Sequence, residues 1–223
     1  MSKLIVIEGV DSSGKATQTE ILHKRLCDKF DNVKKVSFPN YDSPSSAIVK
    51  MYLNGDFGTD ASSVNAYTAS SFFAIDRYAS VNGEWKDIFE GDGIIVADRY
   101  TTSNMVHQAA KIDISADKDA FLDWLYDFEY NKLMLPKPDK VIFLDMPVKY
   151  AKELMENRKN KYNGSEVKDI HESDTEYLTK SYNNAVSVAK KYDWHRICCV
   201  KDDNLRTIED ISDEIFEAVL SVL

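Results

Sequence analysis

Short apolar runs rich in Ile and Val alternate along this chain with longer stretches in which apolar residues recur every three or four positions. The runs at 4–7, 33–38, 93–97, 140–144 and 196–200 have the length and β-branched content of strands. The first and third are apolar throughout, as expected of parallel strands covered on both faces. Between the runs, Ile21, Leu22, Leu26 and Phe30 give a helix over 17–30 a core face. Ser43 and Pro44 open a helix that reaches Leu53 and meets Asn54-Gly55. A longer helix begins near Asp60 or Ser62 and is expected to stop near Asn82-Gly83. Further helices are predicted at 101–111, 116–135, after Pro147, at 173–192 and after Asn204. Strands separated by helical crossovers imply one three-layer α/β domain over 1–223, a five-stranded parallel sheet flanked by helices.

The first strand breaks at Gly9 into a loop that ends in Gly14-Lys15 just as a helical pattern starts. That is the layout of a P-loop phosphate cradle: the glycines let backbone N–H groups turn around an anion, and the helix adds its positive end. Gly9, Ser12, Ser13, Gly14, Lys15, Ala16 and Thr17 are the candidates to hold the phosphates of a nucleotide, with Lys15 reaching the outer ones. A plain Gly-Ser turn would look similar, but here strand, loop, lysine and helix arrive together. The hydroxyl residue that usually follows the lysine is replaced by Ala16, and Thr17 comes one place late. A magnesium ion would then be held by Thr17, or by water, phosphates and a carboxylate such as Asp11 or Asp98.

The 93–97 strand delivers Asp98-Arg99-Tyr100 to its carboxyl end, where ligands of open parallel sheets sit. The pair either flanks a metal and a second phosphate group or forms a buried ion pair that fixes a loop. On the long third helix, Ala69, Phe73 and Arg77 lie at i, i+4 and i+8 with Asp76 beside them. One face thus offers an aromatic plate and a guanidinium to a flat, carbonyl-bearing base. The same spacing fits Phe72 and Phe73 as core with Arg77 paired to Asp76 at the surface. Ser103, Asn104 and His107 follow on the next helix, where the last two share a face. The polar tract at 157–172, with Arg158, Lys159, Lys161 and Lys168, reads as a mobile lid or a solvated loop.

The chain has 223 residues and a net charge of −9, which argues against a broad nucleic-acid footprint or an anionic membrane surface as partner. Any bound anion must be held by local cations. No apolar run approaches the roughly 18 residues of a membrane span, and the amino terminus enters a strand at once, so a cytoplasmic address is expected. Cys27, Cys198 and Cys199 show neither zinc spacing nor a disulfide framework, and are expected to be small buried apolar residues. The four histidines are scattered without a helical metal-site spacing, so a structural metal is not expected.

Several motifs together resemble the thymidylate kinase family of nucleoside monophosphate kinases over nearly the whole chain. They are Glu8-Gly9-Val10-Asp11 with Ser13-Gly14-Lys15 and Thr17-Gln18, Phe38-Pro39 with Tyr41, Ser71 with Phe73-Ala74 and Asp76-Arg77, Asp98-Arg99-Tyr100, Ser103-Asn104, and Leu135-Pro136-Lys137-Pro138-Asp139. The resemblance implies a P-loop kinase fold, a homodimer, magnesium, and transfer of the γ-phosphoryl of ATP to dTMP. It implies that Phe73 stacks on thymine, Arg77 bonds a base carbonyl, and Ser103 and Asn104 border the base. Arg99 would hold the acceptor phosphate, with Asp11 and Asp98 near the sugar, the metal and the reacting oxygens, and Phe38 and Tyr41 near the acceptor. Two positions depart from the family. Ser12 and Ser13 stand where some members place an arginine, which leaves Arg158 of the lid as the candidate transition-state cation. His107 replaces an aromatic residue near the deoxyribose. The competing readings are a kinase acting on thymidine itself, which needs a carboxylate base near the 5′-hydroxyl, and a non-catalytic nucleotide-binding switch.

Overall fold

In the computed structural model, which describes residues 2–60, 62–155 and 175–223, the central strand is β1 (Lys3–Glu8). The chain continues as α1 (Lys15–Cys27), β2 (Val33–Ser37), α2 (Ala47–Leu53), α3 (Ala66–Ser80), α4 (Lys86–Glu90), β3 (Ile94–Asp98), α5 (Thr101–Ser103) and α6 (Ser115–Tyr126). It ends with β4 (Lys140–Asp145), α7 (Val148–Met155), α8 (Thr175–Lys191), β5 (His195–Cys198), the short strands β6 (Val200–Lys201) and β7 (Asn204–Leu205), and α9 (Ile208–Leu220). Leu4 to Ile7 are fully buried, because both faces of β1 are covered. Side chains alternate across a strand. Ile5 and Ile7 therefore enter one core layer with Leu22 and Leu26 of α1 and Ile215, Phe216 and Val219 of α9. Leu4 and Val6 enter the other with Trp85, Tyr100 and Leu135.

The parallel sheet has the order β2-β3-β1-β4-β5. Its register places Ile7 beside Asp98 and Glu8 beside Phe143, so the loops after β1 and β3 emerge next to each other. From β1 the chain runs to the edge strand β2, and from β3 it crosses to the other side as β4. Such a reversal opens a crevice at the carboxyl ends of the strands.

Several boundaries differ from the sequence pattern, each for a local reason. α3 starts after Asn65, whose Oδ1 accepts from the Thr68 N–H at 2.9 Å, not near Asp60 or Ser62. Asn82-Gly83 does not end the helical path. The chain passes through a π turn, Val81–Trp85, into α4, which carries Trp85 to 1 % exposure beside Tyr100. Burying that indole outweighs the roughly 1 kcal/mol cost of one glycine. The predicted 116–135 helix gives way after Tyr126 to another π turn, Asp127–Lys132, and this local widening accompanies the inward placement of Glu129. Val200 belongs to a hairpin rather than to β5, turned by Asp202 and Asp203 with φ of 49° and 57°. Cys27 and Cys198 are exposed, contrary to expectation, and only Cys199 is buried. Cys198 points outward from the edge strand β5, whereas burial pushes the Cys199 thiol up to about 12. The expected lid at 157–172, with Arg158, lies outside the described residues. Among the described residues, no helix is long and apolar enough to cross a membrane.

Candidate active site

At the end of β1 the chain closes around Gly9. A Cβ there would sit 2.6 Å from Ser13 Oγ and 3.0 Å from the Leu144 carbonyl oxygen, so the tight approach requires glycine. Ser12 (φ 60°) and Gly14 (φ 90°) are left-handed, and at Gly14 a side chain would meet nothing within 4 Å. Glycine serves the backbone there, not the packing. Ser13 N donates to Val10 O at 3.2 Å, and Lys15 Nζ donates to the same oxygen at 2.7 Å. No side chain caps the start of α1, whose first-turn amides have no carbonyl of their own helix to bond. Burial, and then the charge of Arg99, push the Lys15 ammonium down to about 7, against the pull of Asp11, Asp98 and Glu8. A phosphate in the loop would reverse that shift. Ala16 and Thr17 are both exposed.

Arg99 follows β3 in a left-handed conformation, φ 68°, which an arginine adopts only where its surroundings over-determine it. Its Nη2 pairs with Asp11, and Nη1 donates to Ser103 Oγ at 3.2 Å and to His107 Nε2 at 2.9 Å. A guanidinium only donates, so His107 is a neutral acceptor at Nε2. Glu8 anchors the arrangement from beneath. It is 0 % exposed, accepts from Gly9 N, Thr102 Oγ1 and Ser103 Oγ at 2.8–2.9 Å, and lies 3.5 Å from Arg99 Nη1. Burial alone would lower the Arg99 pKa, but Asp11, Glu8 and Asp98 outweigh it and the pKa is raised.

Phe73 and Arg77 project from α3 into the same cleft. Phe73 packs edge-on against Tyr52, ring centroids 6.1 Å apart, which leaves an aromatic face half-buried on the cleft wall. Arg77 is not paired with Asp76, as one reading of the helix allowed. Asp76 accepts from Asn40 N at 2.8 Å and from Ser45 Oγ at 2.5 Å, while Arg77 forms a two-point pair with Glu129 at 2.7 and 2.6 Å. The nine residues predicted for the acceptor all line this one cleft: Asp11, Phe38, Tyr41, Phe73, Arg77, Arg99, Ser103, Asn104 and His107. Asp98 is 7 % exposed and lies outside that lining, within charge range of Lys15 and Arg99. Glu8 and Glu129 were missed as site residues. Glu8 had a signal, a charge closing an otherwise apolar strand. Glu129 had none, since it falls in a stretch, 116–135, that its apolar and aromatic residues mark as core or dimer contact.

A phosphate loop facing, across Arg99, a cleft with an aromatic wall and a buried guanidinium defines a P-loop nucleotide kinase. Relatives agree. A family model described as thymidylate kinase matches residues 7–215. Thymidylate kinase of Mycobacterium tuberculosis is 33 % identical over 174 residues, 78 % of this chain and 79 % of that one. The Plasmodium falciparum thymidylate kinase is 27 % identical over 221 residues, 99 % of this chain and 90 % of that one. A solved structure of the Candida albicans thymidylate kinase superposes with a TM-score of 0.72 at 22 % identity, over 99 % of this chain and 92 % of that one, a likeness of fold. The chain belongs to the thymidylate kinase family, enzymes that phosphorylate dTMP with ATP as phosphate donor.

Proposed function

We propose that the chain carries out the family's reaction through in-line transfer between ATP held at 9–17 and dTMP held in the cleft built on Phe73, Arg77 and Arg99. The observation that carries this is the position of Arg99, which borders the acceptor cleft and also acts on the charge of Lys15 in the phosphate loop. Two anions must meet there, so the protein has to cancel charge and align the reacting oxygens rather than supply covalent chemistry. Lys15 and the amides of the loop hold the donor phosphates; Arg99 holds the acceptor phosphate; Phe73 stacks on the base; Arg77 and Asn104 read its edge. Phe38 and Tyr41 close the acceptor side, with Ser103 and His107 bracing Arg99. The acceptor phosphate is already ionised near neutral pH. No strong base is required, and Asp98 orients groups rather than taking a proton.

Magnesium fits this set. The ion favours one or two carboxylates together with phosphates and water, and Asp11 and Asp98 both lie within charge range of Lys15, with Thr17 available at the start of α1. When bound, it neutralises charge on the donor phosphates. Ile48 and Met51 of α2 and Ile75 and Tyr78 of α3 are 39–49 % exposed, and this apolar surface supports a homodimer that covers it. A cytoplasmic enzyme with no nucleic-acid or membrane partner agrees with the acidic charge.

Arg158 is proposed to reach the transferred group from the lid. Arg158→Ala is expected to lower kcat by about tenfold or more with little change in dTMP affinity, because a transition-state cation acts on turnover. Unchanged turnover would remove it from the mechanism. The function itself is tested by following ADP formation with dTMP or thymidine as acceptor. The reading predicts dTDP from dTMP and no product from thymidine. Phosphorylation of thymidine without phosphorylation of dTMP would overturn it.

A further inference from the structure

Glu129 lies 0 % exposed behind the acceptor cleft and binds two of its residues at once. Its Oε2 accepts from Arg77 Nε at 2.7 Å, and its Oε1 accepts from Arg77 Nη2 at 2.6 Å and from Asn104 Nδ2 at 2.8 Å. Asn104 Nδ2 donates a second bond, to Ser70 O at 3.2 Å. A carboxylate and a carbonyl can only accept. The amide nitrogen of Asn104 is therefore locked toward them, and its Oδ1 is turned the other way. Arg77 Nη1 also donates to Tyr100 O at 3.3 Å. Three of the five guanidinium donors are thus occupied, and those left over belong to Nη1 and Nη2. Both residues line the cleft, so its wall combines a donor from Arg77 with an acceptor from Asn104.

We propose that Glu129 is a positioning residue that sets base specificity: by holding Arg77 and fixing the amide orientation of Asn104, it makes the cleft select a pyrimidine with an oxygen at C4 and a hydrogen on N3. Thymine and uracil present that acceptor and donor side by side. Cytosine presents the reverse, an amino group toward Arg77 and a bare N3 toward Asn104 Oδ1, which leaves buried groups of the site unpaired. The inference rests on the reading of the cleft as a dTMP site and deepens it. Glutamine at 129 keeps the shape but carries an NH2 group that must face either Arg77 Nε or, at the Oε1 place, Arg77 Nη2 and Asn104 Nδ2 together, and either way the charged two-point hold on Arg77 is lost. In the second case Asn104 Nδ2 keeps only the Ser70 carbonyl, at 3.2 Å, and the amide orientation that reads the base is no longer fixed.

The test is calorimetric binding of dTMP, dUMP and dCMP to wild type, Glu129→Gln and Glu129→Asp, with kcat and KM for dTMP. Wild type is expected to favour dTMP and dUMP over dCMP by about 10²-fold. Glu129→Gln should weaken dTMP by about tenfold or more, through KM rather than kcat, and lower the dTMP-to-dCMP ratio by about tenfold. Glu129→Asp keeps the charge and should keep that ratio within about threefold. A Glu129→Gln protein with a lower melting temperature and an unchanged ratio would show a purely structural role and overturn the inference alone. Wild type that binds neither dTMP nor dUMP would overturn the dTMP reading and the inference with it. Should Glu129→Gln fail to fold, Asn104→Ala serves instead: the ratio should fall about tenfold, and an unchanged ratio overturns the proposal.

Discussion

Lys15→Met is expected to lower kcat by about 10³-fold or more, while dTMP binding stays within about threefold of wild type. Methionine fills the same volume without the ammonium, so the loop keeps its shape and loses its point charge on the outer phosphates. The same substitution should make the empty protein more stable. In the folded chain the Lys15 pKa is about 7, against an ordinary 10.5, because burial and then Arg99 disfavour its charge. The unfolded chain binds that proton more tightly. Stability of the ligand-free protein therefore rises as pH climbs from about 7 toward 10.5. Lys111, lowered to about 7 by burial, adds to the trend in the same window. Without nucleotide, Lys15→Met should melt above wild type at about pH 6, and the gap should narrow toward about pH 10. Melting below wild type at the lower pH, or turnover within tenfold of wild type, would contradict this account of the loop.

Arg77→Ala is expected to do two kinds of damage. The side chains of Arg77 and Glu129 are 2 % and 0 % exposed, so removing the guanidinium strands a buried carboxylate and should destabilise the fold by about 3–5 kcal/mol. It should also weaken dTMP by about 1–3 kcal/mol through the lost charged hydrogen bond to the base. The double change Arg77→Ala with Glu129→Ala separates the two. Removing both charges should restore much of the urea midpoint and none of the dTMP affinity. A single variant that unfolds at the wild-type urea concentration would show that the pair is not the buried anchor it is taken for.

The phosphate loop was legible because its signals are local: the apolar run at 4–7, Gly9, Gly14 and Lys15 lie within a dozen positions, and the backbone alone dictates what they do. The five-strand sheet was legible for the same reason. Phe73 and Arg77 could be placed on one face of α3, but periodicity could not say whether Arg77 faced the surface. Its partner is Glu129, 52 positions away, on a π turn that no helical spacing anticipates. Gly83 failed as a stop and Cys198 as a buried residue because burial of Trp85 and the outer side of an edge strand are set by distant parts of the chain. Glu8 shows the middle case, since its charge was visible in the sequence but its hydroxyl partners Thr102 and Ser103 are brought to it only by the pairing of β1 with β3.

The most direct measurement is a crystal structure of the protein with dTMP and a non-hydrolysable ATP analogue bound together. The account predicts the thymine ring on Phe73 with its edge at Arg77 and Asn104, the acceptor phosphate on Arg99, and the outer phosphates of the analogue against Lys15 and the 9–17 loop. A complex in which Arg77 and Arg99 touch neither ligand would contradict it.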